Sequence, residues 1–361
     1  VKHLEIGTCK IEIGSIESSS FEQLLTEKYA RARKIILVDE NTHDSCLEYM
    51  ITTFPVLEEA EVMLLPVGEE NKVMEVCFQV WEALSEYGIV RSDVIINLGG
   101  GVVTDMGGFI ASVFKRGLDF INVPTSLLGM VDAAIGGKNG IDLGSYKNQL
   151  GVFQHPVAIY VDPIFLQTLP EEELVSGYAE MIKHTLIADK DQWKLLHQLD
   201  PIKLLNTKHY ETLIIRSIEI KTTVVNSDPR EAGMRKVLNF GHTIGHAIEG
   251  YCLSVEPIAH GHAVALGMIA ESYISFKREG ISQRELLEIT NYLTQIYPHV
   301  PLDESDKNEV LELLKHDKKN EHDQVMCVLL NGIGNCVYNQ PISEKEAYEA
   351  LLYVDSVFTL N

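Results

Sequence analysis

Three consecutive glycines, Gly99, Gly100 and Gly101, close an apolar run at residues 94–98 and open a helical pattern at 102–114. Bare backbone N–H groups at a helix start can approach an anion, which suits a dinucleotide pyrophosphate. A tight strand-to-helix turn needs fewer glycines than this. Asp39 and Asn41 follow an earlier apolar run, where a carboxylate can take ribose hydroxyls. No GxGxxG follows that first run, which disfavours an ordinary dinucleotide dehydrogenase. Further on, Asp132 and Lys138 bracket Gly136-Gly137 ahead of Lys147-Asn148, a local cation patch. The sharpest pattern is Arg235, Asn239, His242 and His246, spaced by four, three and four, which predicts one polar stripe on a single helix. The other faces carry Val237, Leu238, Phe240, Ile244, Ala247 and Ile248. A polar stripe on a buried helix must be paired or line a cavity. His260-Gly261-His262 offers a further imidazole, and Glu180, in Ser176-Gly-Tyr-Ala-Glu180-Met-Ile-Lys183, offers a carboxylate. Two histidines and one glutamate, with a position left open, form a catalytic rather than a structural zinc set. Lys183, one turn beyond Glu180, is expected to face the same cavity.

The elements that must position these groups change in texture along the chain. Apolar, β-branched runs at 35–38, 62–65, 94–98, 119–123 and 157–161 predict strands, and residues 71–87 predict an intervening helix with Val73, Val80 and Leu84 on one face. Strands alternating with helices indicate a mainly parallel sheet. From Glu171 to about His316 helical patterns dominate, and only 326–330 reads as a later strand. The expected fold is an α/β Rossmann-like N-terminal domain over residues 1–170 and an all-α C-terminal domain over 171–361.

The composition sets the demands on a substrate. Thirty Lys+Arg against 52 Asp+Glu give a net charge of −22, which repels nucleic acid and anionic membrane. An anionic substrate therefore requires locally gathered cations. The six cysteines show no CxxC pair and read as thiols of a reducing compartment. The first residues lack the features of a signal peptide, and no stretch reaches about 18 apolar residues, so a cytoplasmic location and no membrane partner are expected.

Together Gly99-Gly-Gly-Val-Val-Thr-Asp105, Gly137-Lys138, Lys147-Asn148, the 176–183 segment and Leu238-Asn-Phe-Gly-His-Thr-Ile-Gly-His246 resemble the 3-dehydroquinate synthase family, in order, from about Asp39 to Lys319. The resemblance implies NAD, a divalent metal (Zn2+ or Co2+) and a homodimer. It also implies action on a phosphorylated sugar acid, 3-deoxy-D-arabino-heptulosonate 7-phosphate, in the shikimate pathway. Carried over, the metal ligands are Glu180, His242 and His260, with His246 beside them handling protons or positioning water. NAD contacts fall at Asp39, Asn41, Glu69, Lys72, Gly99, Gly100, Gly101, Val102 and Asp105. They continue at Thr125, Ser126, Asp132, Lys138, Lys147, Thr168 and Leu169. Substrate contacts are Asp132, Lys138, Lys147, Asn148, Lys183, Lys221, Arg235 and Asn239, with Lys318 or Lys319. Lys138, Lys183, Lys221, Arg235 and Asn239 count with His246 as the catalytic set. Arg116 matches an arginine that reaches phosphate across a dimer interface.

Two positions depart from the family pattern. His262 stands where a glutamate is usual and competes with His260, and Asp142 stands where an asparagine is commoner. The rival functions are another sugar phosphate cyclase, acting on glucose 6-phosphate or sedoheptulose 7-phosphate, and a metal-dependent polyol dehydrogenase that releases NADH. A catalytically silent NAD-binding protein is the third. Lys221, Arg235 and Asn239, which in the family surround a substrate carboxylate, favour the sugar acid.

Overall fold

The computed structural model describes residues 1–144, 146–205, 208–315 and 324–359. It divides into two compact units. One comprises Val1–Pro170 with Lys208–Asn226, the other Glu171–Thr207 with Ser227–Asn361. A single cut at 170 had placed residues 208–226 in the second unit. They group instead with the first, because the helix Lys208–Ser227 makes its polar contacts there: Asn226 Nδ2 donates to the Glu5 carbonyl at 2.9 Å, and Lys2 pairs with Glu219 at 3.1 Å.

The first unit is built on a seven-stranded sheet. Its strands are β1 (Lys2–Ile6), β2 (Cys9–Ile13), β3 (Lys34–Asp39), β4 (Glu61–Leu65), β5 (Val94–Gly99) and β6 (Asp119–Pro124). A hairpin of β7 (Lys138–Leu143) and β8 (Tyr146–Phe153) stands apart, and β9 (Ala158–Val161) completes the sheet in the order β1-β2-β9-β6-β5-β3-β4. Only the β1–β2 pair is antiparallel. Ile35, Ile36, Leu37 and Val38 are all fully buried, as is every residue of β5 except for slight exposure at Ile96, as expected of parallel strands covered on both faces. The five expected strands are present. β1, β2 and the β7–β8 hairpin were not anticipated, and the helix expected at 71–87 begins as the 3₁₀ turn Glu69–Asn71 before Met74–Glu86.

From β3 the chain steps to β4 on one side and then returns to β5 on the other, which makes the β3/β5 boundary a topological switch point. The carboxyl ends of those strands carry Asp39 and Gly99.

The second unit is mostly helical. It includes the helices Glu171–Ala188, His242–Val255 and His260–Lys277, with a two-stranded pair of β10 (Val325–Leu330) and β11 (Cys336–Ile342). The strand expected at 326–330 is β10, which needs a partner for its backbone groups, and β11 supplies it. All six cysteines are free, and no helix among the described residues is long and apolar enough to cross a membrane.

Candidate functional site

In the second unit, four predicted side chains converge. The helix Glu171–Ala188 brings Glu180, fully buried, so that its Oε1 lies 3.4 Å from His242 Nε2 and 3.8 Å from His260 Nε2. One ring nitrogen from each of His242, His246 and His260 falls within 4.8 Å of the others. Neither Glu180 oxygen takes a hydrogen bond among the described residues, and the Lys183 ammonium is its ion-pair partner. A fully buried carboxylate that faces imidazole nitrogens is the chemistry of a cation site.

The local fold orients these groups. His242 Nδ1 lies 3.1 Å from the Phe240 carbonyl, which fixes the ring so that Nε2 faces Glu180. Gly241 is left-handed (φ 77), and a Cβ there would lie 2.5 Å from Met268 Cγ and 2.9 Å from the Val264 carbonyl. The fully buried Glu271, from His260–Lys277, accepts from Gly241 N–H at 2.7 Å and Ile244 N–H at 3.1 Å. It thereby caps the helix start that Gly241 cannot cap with a side chain of its own.

The single polar stripe expected from Arg235 to His246 is corrected by this break. Arg235 and Asn239 lie in the 3₁₀ helix Met234–Asn239, and the α-helix starts only at His242, because Phe240 is extended and Gly241 reverses the chain. Arg235 is buried and donates to the Pro229 carbonyl at 2.8 Å, while Asn239 Nδ2 donates to Glu231 Oε1 at 3.0 Å.

His260 and His262, the two competing positions, are placed differently. His262 Nε2 sits 2.7 Å from the Pro298 carbonyl and its ring stacks on Tyr297, while His260 joins the cluster. Burial lowers the His262 pKa from its ordinary value, against a smaller opposite push from the Pro298 carbonyl.

In the first unit the glycine triplet lies at the carboxyl end of β5. Gly100 is the N-cap of the helix Gly101–Val113, whose first N–H groups meet no capping side chain from it. Thr125 N–H donates to the Gly99 carbonyl at 3.0 Å, which ties the ends of β5 and β6 together. The triplet also packs closely: a Cβ at Gly100 would lie 3.2 Å from Ser126 Oγ, and one at Gly101 would lie 3.1 Å from Ala133 Cβ. At the end of β3, Asp39 forms a capping box with Thr42, with Asn41 in the turn that follows.

Lys72 is buried and donates to Asp105 Oδ2 at 2.7 Å and Asn148 Oδ1 at 2.9 Å, with Glu69 at 3.7 Å. Burial alone would lower its pKa, but Asp105 and Glu69 together raise it above the usual lysine value. Burial raises the Asp105 pKa, with Lys72 opposing. Lys221, from Lys208–Ser227, pairs with Asp132 at 2.6 Å. Asp142 does not lie open to an anion: it accepts from the Asn148 N–H at 2.5 Å and so closes the β7–β8 hairpin.

Val102 is half-buried in the first turn of the glycine helix, and Lys147 is half-buried in β8. Lys138 is exposed at the start of β7, and Arg116 is exposed at φ 67 just after the glycine helix. Thr168 ends the 3₁₀ stretch Pro163–Thr168, with Leu169 next. Lys318 and Lys319 lie outside the described residues.

Sequence reasoning missed three glutamates: Glu231, Glu249 and Glu271. Only Glu249 had a signal, since it continues the 242, 246 spacing by three.

Two family models match in tandem, one described as 3-dehydroquinate synthase N-terminal over residues 62–176 and one as 3-dehydroquinate synthase C-terminal over 177–320. The chain is 40% identical over 317 residues to a 3-dehydroquinate synthase of Parabacteroides distasonis, covering 88% of this chain and 89% of that one. It is 37% identical over 348 residues to the 3-dehydroquinate synthase of Latilactobacillus sakei, covering 94% and 93%. Among solved structures, the 2-epi-5-epi-valiolone synthase of Streptomyces hygroscopicus, with NAD+ and Zn2+ bound, superposes with a TM-score of 0.85 at 25% identity over 99% of both chains. A 2-deoxy-scyllo-inosose synthase complexed with carbaglucose-6-phosphate, NAD+ and Co2+ gives 0.82 at 25% identity over 98% and 99%. An NADH-dependent butanol dehydrogenase of Thermotoga maritima, at 16% identity and a TM-score of 0.69 over 97% and 98%, shares the fold alone.

Proposed function

The chain belongs to the 3-dehydroquinate synthase family, and from that premise we propose that it converts 3-deoxy-D-arabino-heptulosonate 7-phosphate to 3-dehydroquinate and inorganic phosphate. The observation that carries the reading is the meeting of the buried Glu180 carboxylate with His242 and His260. It is the donor set of a catalytic metal with an open position. Solved neighbours at 25% identity hold NAD+ together with Zn2+ or Co2+, which supports the same two cofactors here. The enzyme is then a carbon–oxygen lyase with no net redox change, working in the cytoplasm as a homodimer.

When bound, the metal polarises substrate oxygens and NAD takes up and returns a hydride. Glu180, His242 and His260 are assigned as the metal ligands. His246, one turn beyond His242 on the same helix, is assigned to proton handling. The N–H groups at the start of Gly101–Val113 are assigned to the dinucleotide phosphates, and Asp39 to a ribose. Asp105 and Lys72 order the same region, and Lys72 ties β8 to the glycine helix through Asn148 and Asp105. In the second unit, Arg235 and Asn239 are assigned to the substrate carboxylate, with Pro229 and Glu231 holding them in place. Lys138, Lys147, Asn148, Lys183, Lys221 and Arg116 supply the remaining polar groups for an anionic substrate, answering the net charge of −22.

A sugar phosphate cyclase with a substrate lacking the carboxylate is the second reading, favoured by the carbaglucose-6-phosphate complex of one neighbour. Retention of Arg235 and Asn239 supports the sugar acid. Glu180→Ala is expected to lose metal, by elemental analysis, and activity, while NAD binding stays near that of the parent. Full activity without metal refutes the site.

A further inference from the structure

The metal cluster is backed by a carboxylate to which the proposed reaction gives no role. Glu249 lies on the helix His242–Val255, seven residues beyond His242 and three beyond His246, so all three share one face. It is 4% exposed, and its Oε1 lies 3.5 Å from His260 Nδ1. The other ring nitrogen of His260, Nε2, is the one near Glu180 Oε1. Imidazole presents its two nitrogens in diverging directions, so a carboxylate on Nδ1 and a cation on Nε2 are compatible.

The two ring ligands are therefore backed differently. A neutral backbone carbonyl stands behind His242 Nδ1 and a buried anion stands behind His260 Nδ1. His260 is the first residue of its helix, where no preceding helical turn restrains the side chain. A carboxylate at Nδ1 keeps the proton on that nitrogen, leaves the Nε2 lone pair available and strengthens it as a donor.

We propose that Glu249 is a positioning residue for His260, fixing its tautomer and ring orientation so that Nε2 is held toward Glu180 and His242. The inference rests on the metal assignment above.

The test uses the full chain, stripped of metal and titrated with Zn2+ against a chromophoric chelator, with the visible spectrum of the Co2+ form as a second readout. Glu249→Gln keeps size and an acceptor oxygen while removing the charge. It is expected to weaken Zn2+ binding by about 10-fold or more and to shift the Co2+ bands. Glu249→Ala is expected to weaken binding further, toward about 100-fold. A parent that holds one metal, beside a Glu249→Gln variant with the same affinity and spectrum, overturns the positioning role. A parent that holds no metal overturns the metal assignment itself. If the alanine variant does not fold, the glutamine variant decides the question alone.

Discussion

Lys72→Met removes the cation that pairs with the half-buried Asp105 carboxylate at 2.7 Å and replaces it with a side chain of similar length. The Asp105 side chain is 18% exposed, so the loss belongs near the low end of the range for a broken buried pair, about 3 kcal/mol. It also has a ceiling that depends on pH. Asp105 can escape the penalty by protonating, which costs about 1.36 kcal/mol for each pH unit above its unfolded pKa near 3.9, so about 4 kcal/mol at pH 7 and about 1.5 kcal/mol at pH 5.

The sign follows from the direction of the shift. Burial holds the folded Asp105 pKa above its ordinary value even with Lys72 present, and removing Lys72 raises it further. Below the unfolded pKa the carboxyl is protonated in both states and the penalty is absent. It grows as pH rises and is complete above the folded pKa. The raised Lys72 pKa has the opposite bearing: its stabilisation is full below the unfolded lysine value, throughout the assay range, and disappears only as pH rises through the folded value. Urea unfolding without added NAD should show Lys72→Met losing about 3 kcal/mol at pH 7 and at most about 1.5 kcal/mol at pH 5. Lys72→Met with Asp105→Asn should recover most of the loss. An equal loss at both pH values, or one below about 1 kcal/mol at pH 7, refutes the reasoning.

His260→Ala is expected to reduce metal content to a small fraction of the parent's, while His262→Ala leaves it at one equivalent, because His262 is turned to the Pro298 carbonyl; elemental analysis of both decides. Arg235→Ala should raise the KM for the sugar acid phosphate by about 100-fold or more, in line with loss of a buried charge-assisted contact. An unchanged KM removes the carboxylate assignment.

The parallel strands were legible because runs such as Ile35 to Val38 are apolar on both faces, and that signal survives without tertiary information. The β1 and β2 strands mix charges with apolar residues, as in Lys2-His-Leu-Glu-Ile, and so gave no clean run. The β7–β8 hairpin was hidden in glycine- and lysine-rich sequence that looked like loop, although Asp142 closes it through Asn148. At the candidate metal centre the residue types and the Glu180, His242 and His260 grouping could be read from the motifs. The helix spacing that first drew Arg235 and Asn239 to His242 did not describe the backbone, since a glycine within a periodic pattern can either continue a helix or break it. Here the close approach of Met268 and Val264, from a helix more than 20 residues away in sequence, decides for the break. Glu271 is invisible for the same reason: a carboxylate in an apolar helix reveals its partner only once the two helices pack.

Incubating the metal-loaded protein and NAD with 3-deoxy-D-arabino-heptulosonate 7-phosphate tests the central claim most directly, following inorganic phosphate by a coupled assay and NADH by absorbance at the same time. Phosphate should appear turnover after turnover, with 3-dehydroquinate in equal amount and NADH flat. Phosphate that never appears, or NADH that accumulates in step with substrate loss, contradicts the account.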